Sequence, residues 1–97
     1  MSEKINDSVL LNSKFTIFDN ILNEYDWKLN ENCIDRVVYL KPGNELDTFE
    51  IKLDSDSIYV SAPIKNCNFL YRAKFTDFIL AFDYVERRVL ELHSASS

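Results

Sequence analysis

The side chains that most often carry nucleophilic or acid–base chemistry are scarce in this chain: one histidine, His93, and two cysteines, Cys33 and Cys67, among 97 residues. A serine or cysteine nucleophile needs a base within hydrogen-bond reach. His93 stands at the end of a predicted helix beside a polar tail, where an imidazole serves as a helix-end cation. The cysteines fit neither a CxxC nor a zinc-knuckle spacing and read as reduced thiols, with Cys67, in a polar loop, the more reachable. Gly43 is the only glycine, which excludes a dinucleotide fingerprint, a Walker loop and a nucleophile elbow, because each needs several. Asp54-Ser55-Asp56-Ser57 is the one cluster with the look of a metal loop. A calcium loop would continue with a third oxygen ligand, a glycine and a later glutamate, whereas Ile58 and Tyr59 follow here. The segment therefore reads as a hairpin turn in which Asp and Ser bond their own backbone. The sixteen acidic residues are spread over helix faces and turns and mark no carboxylate pair. These residue types predict a non-enzymatic protein, with no catalytic, cofactor-binding or metal-binding residue.

What remains is a surface, and the elements that would display it follow from periodicity. Ser13 caps a predicted helix whose apolar stripe is Phe15, Phe18, Leu22 and Tyr25, with Ile17 and Ile21 beside it. Asp26 to Asn32 turns the chain, with room for a short strand at Trp27 to Leu29, and Ile34 to Leu40 is β-rich and apolar on both alternations. Lys41-Pro42-Gly43-Asn44 suits a type II turn. Thr48 to Ile64 then reads as a hairpin with Phe49, Ile51 and Leu53, and Ile58, Val60 and Ala62, on its core face. Phe69 to Phe75 is a candidate fourth strand. Thr76 caps a second helix with the stripe Phe78, Phe82, Val85, Val89 and Leu92.

The predicted fold is α+β and two-layered: an antiparallel three- or four-stranded β-meander with an N-terminal and a C-terminal helix packed on one face, in the order α-β-β-β-(β)-α. Residues 1–12 are expected to form a loosely ordered arm, 13–93 a single domain and 94–97 a polar tail. A composition 46% hydrophobic and 28% charged argues against a disordered chain. The start of the sequence has an apolar run of only three residues, Val9 to Leu11, too short for a signal-peptide core or a membrane span. The expected setting is intracellular and cytoplasmic, or the host cytoplasm for a viral protein, with no membrane partner.

The net charge of −5 is unevenly placed. Residues 1–35 carry three cations against seven acids, 36–74 six against five, and 75–97 two against four, so the helices are acidic and the sheet near neutral. Placing Ile34, Val38 and Leu40 toward the helices sends Val37 and Tyr39 outward, next to Lys52, Tyr59 and Ser61. Apolar residues on both sides of one strand imply a covered second face. The first expectation is therefore a small protein-interaction module that self-associates, as a homodimer, through Val37, Tyr39, Lys52, Tyr59 and Ser61. The second is nucleic-acid binding through Tyr39, Lys52, Tyr59, Arg72 and Lys74, which the net charge disfavours. The third is an acidic inhibitor presenting Glu24, Asp26, Glu31 and Asp35 to a basic groove.

An α-β-β-β-α order resembles the double-stranded-RNA-binding domain in topology. That resemblance implies a lysine cluster at the start of the second helix, where this chain has Thr76 and Asp77, with Arg72 and Lys74 just before. With Phe69 to Phe75 as a strand, the ββββα order is similar to single-strand-binding transcription cofactor dimers, which implies base stacking on the sheet at Tyr39 and Tyr59 beside Lys52. The short acidic α+β layout also resembles small phage and viral inhibitors, anti-CRISPR proteins among them, which implies a host protein as partner.

Overall fold

Phe15, Phe18, Ile21 and Leu22 recur at helical spacing and all are buried, so the first helix is held by its stripe rather than by its modest length. In the computed structural model, which describes residues 11–63 and 70–96, this segment is a 3₁₀ turn, Ser13–Phe15, leading into α1, Thr16–Glu24. The predicted arm as far as residue 10, together with Cys67 and Phe69, lies outside the described residues. The cap falls one residue earlier than predicted: the Asn12 side chain accepts from the Lys14 amide at 3.0 Å, and its Nδ2 donates to the Ile34 carbonyl at 2.7 Å.

Helix α1 ends without a glycine. Asp26 takes the left-handed conformation at φ 71°, the Trp27 amide donates back to the Leu22 carbonyl at 2.9 Å, and the Asp26 amide donates to Asn23 at 3.1 Å. These two bonds make the Schellman closure, with buried Trp27 and Leu22 supplying the apolar contact that accompanies it. The chain then enters β1, Lys28–Cys33, followed by β2, Arg36–Lys41, β3, Asn44–Leu53, β4, Ile58–Pro63, β5, Leu70–Phe75, and the long helix α2, Phe78–Ser96. The five strands form one antiparallel meander in the order β1-β2-β3-β4-β5.

The predicted α+β layout, with an N-terminal and a C-terminal helix on an antiparallel meander, is the one observed. The sheet has five strands because two ambiguous segments both pair. Lys28–Cys33 is a full strand against β2, and Leu70–Phe75 runs against β4. Gly43 closes the β2–β3 turn at φ +88°, as a type II turn requires. Asp77, not Thr76, caps α2, its Oδ1 accepting from the Ile79 amide at 2.7 Å. The expected tail is helical through Ser96.

Strand β2 faces the opposite way from the prediction. Val37 pairs with Ile51 and Tyr39 with Phe49, while Val38 pairs with Glu50 and Leu40 with Thr48. Directly paired residues share a face, so Val37 and Tyr39 belong with the core-facing Phe49 and Ile51, and both are fully buried. The core lies between this inner face and the helices, where Phe15, Phe18, Leu22, Trp27, Ala81, Val85 and Val89 join it. Ile34, predicted inward, sits in the β1–β2 turn and is 81% exposed. Trp27 meets Phe49 edge to face at 4.7 Å, and Lys41 lies 5.5 Å over the indole while donating to the Tyr25 carbonyl at 2.7 Å.

Candidate binding face of the sheet

Alternation along the strands leaves a second face on which, among the described residues, no helix packs. Cross-strand pairing assigns Lys28, Glu31 and Cys33 of β1 to that outer face, with Arg36, Val38 and Leu40 of β2 and Thr48, Glu50 and Lys52 of β3. Tyr59 and Ser61 of β4 and Leu70, Arg72 and Lys74 of β5 complete it. Five cations against two carboxylates give the described part of this face a positive surplus of three, on a chain whose net charge is −5. Half of the compensating acidity lies in the other layer. From Ser13 to Trp27 and from Asp77 to Ser96 the chain carries Lys14, Arg87 and Arg88 against seven acids.

The two halves of the outer face differ. On the β1–β3 side Arg36 bridges two carboxylates, donating to Glu31 at 2.5 Å and to Glu50 at 3.0 Å. The Glu50 hydrogen bond is the main reason the Arg36 guanidinium is held above its usual range, with Glu31 adding to it. Toward β5 the face is cationic and aromatic. Lys52, Tyr59 and Lys74 lie directly across from one another on β3, β4 and β5. The Arg72 guanidinium stacks over the Tyr59 ring at 4.8 Å, within cation–π range. Among the described residues no carboxylate forms an ion pair with Lys52, Arg72 or Lys74. From Lys52 to Lys74 is two strand spacings, about 10 Å.

The residues predicted to form an interface do not stay together. Lys52, Tyr59 and Ser61 lie on the outer face, but Val37 and Tyr39 are in the core. Of the residues proposed to contact nucleic acid, Lys52, Tyr59, Arg72 and Lys74 form one patch and Tyr39 again drops out. Instead the Tyr39 hydroxyl donates to Asp19 of α1. Burial, and after it the Asp19 carboxylate, push the Tyr39 hydroxyl well above the ordinary tyrosine range.

The proposed acidic patch is dispersed. Glu31 is engaged by Arg36, Asp26 forms the α1 closure, and the Asp35 carbonyl accepts from the Leu53 amide at 2.7 Å in the β1–β2 turn. Asp26 and Asp35 flank opposite ends of β1, separated by about 20 Å of strand. Arg36, missed as a site residue, was detectable only as a lone arginine before an apolar run, because its partners are distant in sequence.

The Asp54 to Ser57 segment forms the β3–β4 turn, with the Asp54 carboxylate accepting from the Ser55 amide at 2.9 Å. It borders a cavity of about 290 Å³ shared with Lys14, Thr76 and Phe78. Among the described residues no group of three His, Cys, Asp or Glu side chains is arranged to hold a metal ion. His93 packs its ring against Tyr25 at 5.0 Å, tying the end of α2 to the end of α1. No helix of the described residues is long and apolar enough to cross a membrane. Among family models, curated proteins and solved structures, none matches this chain.

Proposed function

We propose that this chain is a non-enzymatic binding module whose outer sheet face takes a single-stranded nucleic acid across β3, β4 and β5. The observation that carries the reading is the in-register row Lys52, Tyr59, Lys74 with Arg72 stacked on the ring. Phosphates gain from cations that have no competing carboxylate, and a base gains from an aromatic face held flat on a sheet. The overall acidity does not oppose this, because seven of the acids lie in the helical layer and the two carboxylates on the described outer face, Glu31 and Glu50, are both held by Arg36. A second copy is the poorer occupant of the same face. Two outer faces turned toward each other would oppose two positive surpluses, and Val37 and Tyr39, the apolar residues expected to bind them, are inside.

Fluorescence anisotropy with labelled oligo(dT) and oligo(U) at rising salt tests the assignment. Three or four neutralised phosphates predict a slope of log affinity against log salt of roughly −2 to −3 for a single strand. Tyr59→Ala is expected to lose about 1–3 kcal/mol of binding, and Lys74→Glu to weaken binding and flatten the slope. Absence of binding at about 50 mM salt, where this electrostatic attraction is strong, overturns the reading. Equal binding by wild type and Lys74→Glu also overturns it.

A further inference from the structure

We propose that β5 is the edge through which two copies of this chain join into one continuous antiparallel sheet, and that an anionic strand on the outer face strengthens the join. The linkage to the anion rests on the function proposed above; the edge itself does not. β1 and β5 are the outermost strands of the sheet, and β1 is irregular in register as well as polar. It carries a register break between Leu29 and Glu31 and the polar sequence KLNENC, both of which discourage further pairing. β5 instead pairs with β4 over six consecutive residues without a break, and among the described residues no strand pairs with its other side. Leu70 and Tyr71 at its start are 44% and 54% exposed.

A two-fold axis through Ala73 makes this edge self-complementary. The smallest side chain of the strand then meets its own copy. On the inner face, Tyr71 falls opposite Phe75 of the partner subunit, and Phe75 already packs against Tyr84 at 5.2 Å. On the outer face, Arg72 falls opposite Lys74 of the partner subunit, and like charges placed directly across oppose pairing. Cations of this kind are a usual guard on an open edge. Here the guard is made of two of the side chains assigned to phosphate, so an anionic strand lying over them would remove it. The joined sheet would also place the two cationic patches side by side on one surface.

Disulfide trapping in a Cys33→Ser, Cys67→Ser background reads the geometry. Ala73→Cys is expected to form a covalent dimer, faster with oligo(dT) present than without. Tyr71→Cys is not expected to do so, because its two copies would lie roughly 13 Å apart, beyond the ~7 Å that a disulfide spans between Cα atoms. Arg72→Cys with Lys74→Cys, at two exposed positions, repeats the test should Ala73→Cys fold poorly. Arg72→Gln with Lys74→Gln, without nucleic acid, is expected to dimerise at a concentration lower by about threefold or more, as relief of two opposed like-charge pairs implies. The edge is overturned if neither cysteine variant cross-links more than Tyr71→Cys, with or without oligo(dT). In that event oligo(dT) binding by a monomer would leave the outer-face reading standing. Cross-linking of Ala73→Cys that oligo(dT) does not accelerate overturns the linkage and keeps the edge.

Discussion

The Tyr39 hydroxyl faces the Asp19 carboxylate from inside the core. A buried phenol resists ionisation because the charged form loses its water, and an adjacent carboxylate adds repulsion. The unfolded chain releases this proton near the ordinary value of 10.0, while the folded chain retains it. The associated stability is therefore whole below about pH 10 and falls as the solution becomes more alkaline, by up to ~1.4 kcal/mol per pH unit. Denaturant unfolding between about pH 9 and 11.5 is expected to show that slope in the wild type and to lose Tyr39's share of it in Tyr39→Phe. The same variant is expected to cost about 1–2 kcal/mol at neutral pH, since it takes a hydrogen-bond donor from Asp19. Tyr39→Glu is expected to prevent folding, because a carboxylate would enter the apolar core beside Asp19. None of this was legible in the sequence. The spacing from Asp19 to Tyr39 fits no local rule, and the pair meets only because α1 lies across the strand that carries Tyr39.

Two element ends carry their own tests. Asp26 holds a left-handed backbone at φ 71° where glycine is the usual choice. Asp26→Gly is therefore expected to raise stability by about 0.5–1 kcal/mol, read as a higher urea midpoint at unchanged slope. Asp77→Ala removes the side-chain acceptor at the start of α2 and is expected to cost about 1 kcal/mol. The α2 stripe and the Thr48 to Ala62 alternation were legible because each has one apolar side, and such a pattern can be buried in only one way. The Asp26 closure was not, because the sequence offers no glycine there to mark it. β1 was half legible: its polar residues Asn30, Glu31 and Asn32 carry no alternation, and pairing alone makes that segment a strand.

Across the whole molecule the charge is layered, positive on the described outer sheet face and negative among the helices. A ligand recognised by that surface feels a local field rather than the net charge. Oligonucleotide association is accordingly expected to fall steeply between about 50 and 200 mM salt although the protein is acidic. Reversing charge in the helical layer, as in Glu86→Lys, is expected to change affinity far less than Lys74→Glu, measured side by side by anisotropy.

The sequence by itself determined the α+β class, the hairpin around Asp54 to Ser57 and the membership of each alternation: Val37 goes with Tyr39, and Val38 with Leu40. It could not determine which of those two pairs is inside, because a strand that is apolar on both sides has a period but no phase. Only the tertiary structure supplied the phase, through the pairing of Val37 with Ile51 and Tyr39 with Phe49. That pairing emptied the expected interface of its apolar members, and the pairings of β3 with β4 and β4 with β5 aligned Lys52, Tyr59 and Lys74 across three strands.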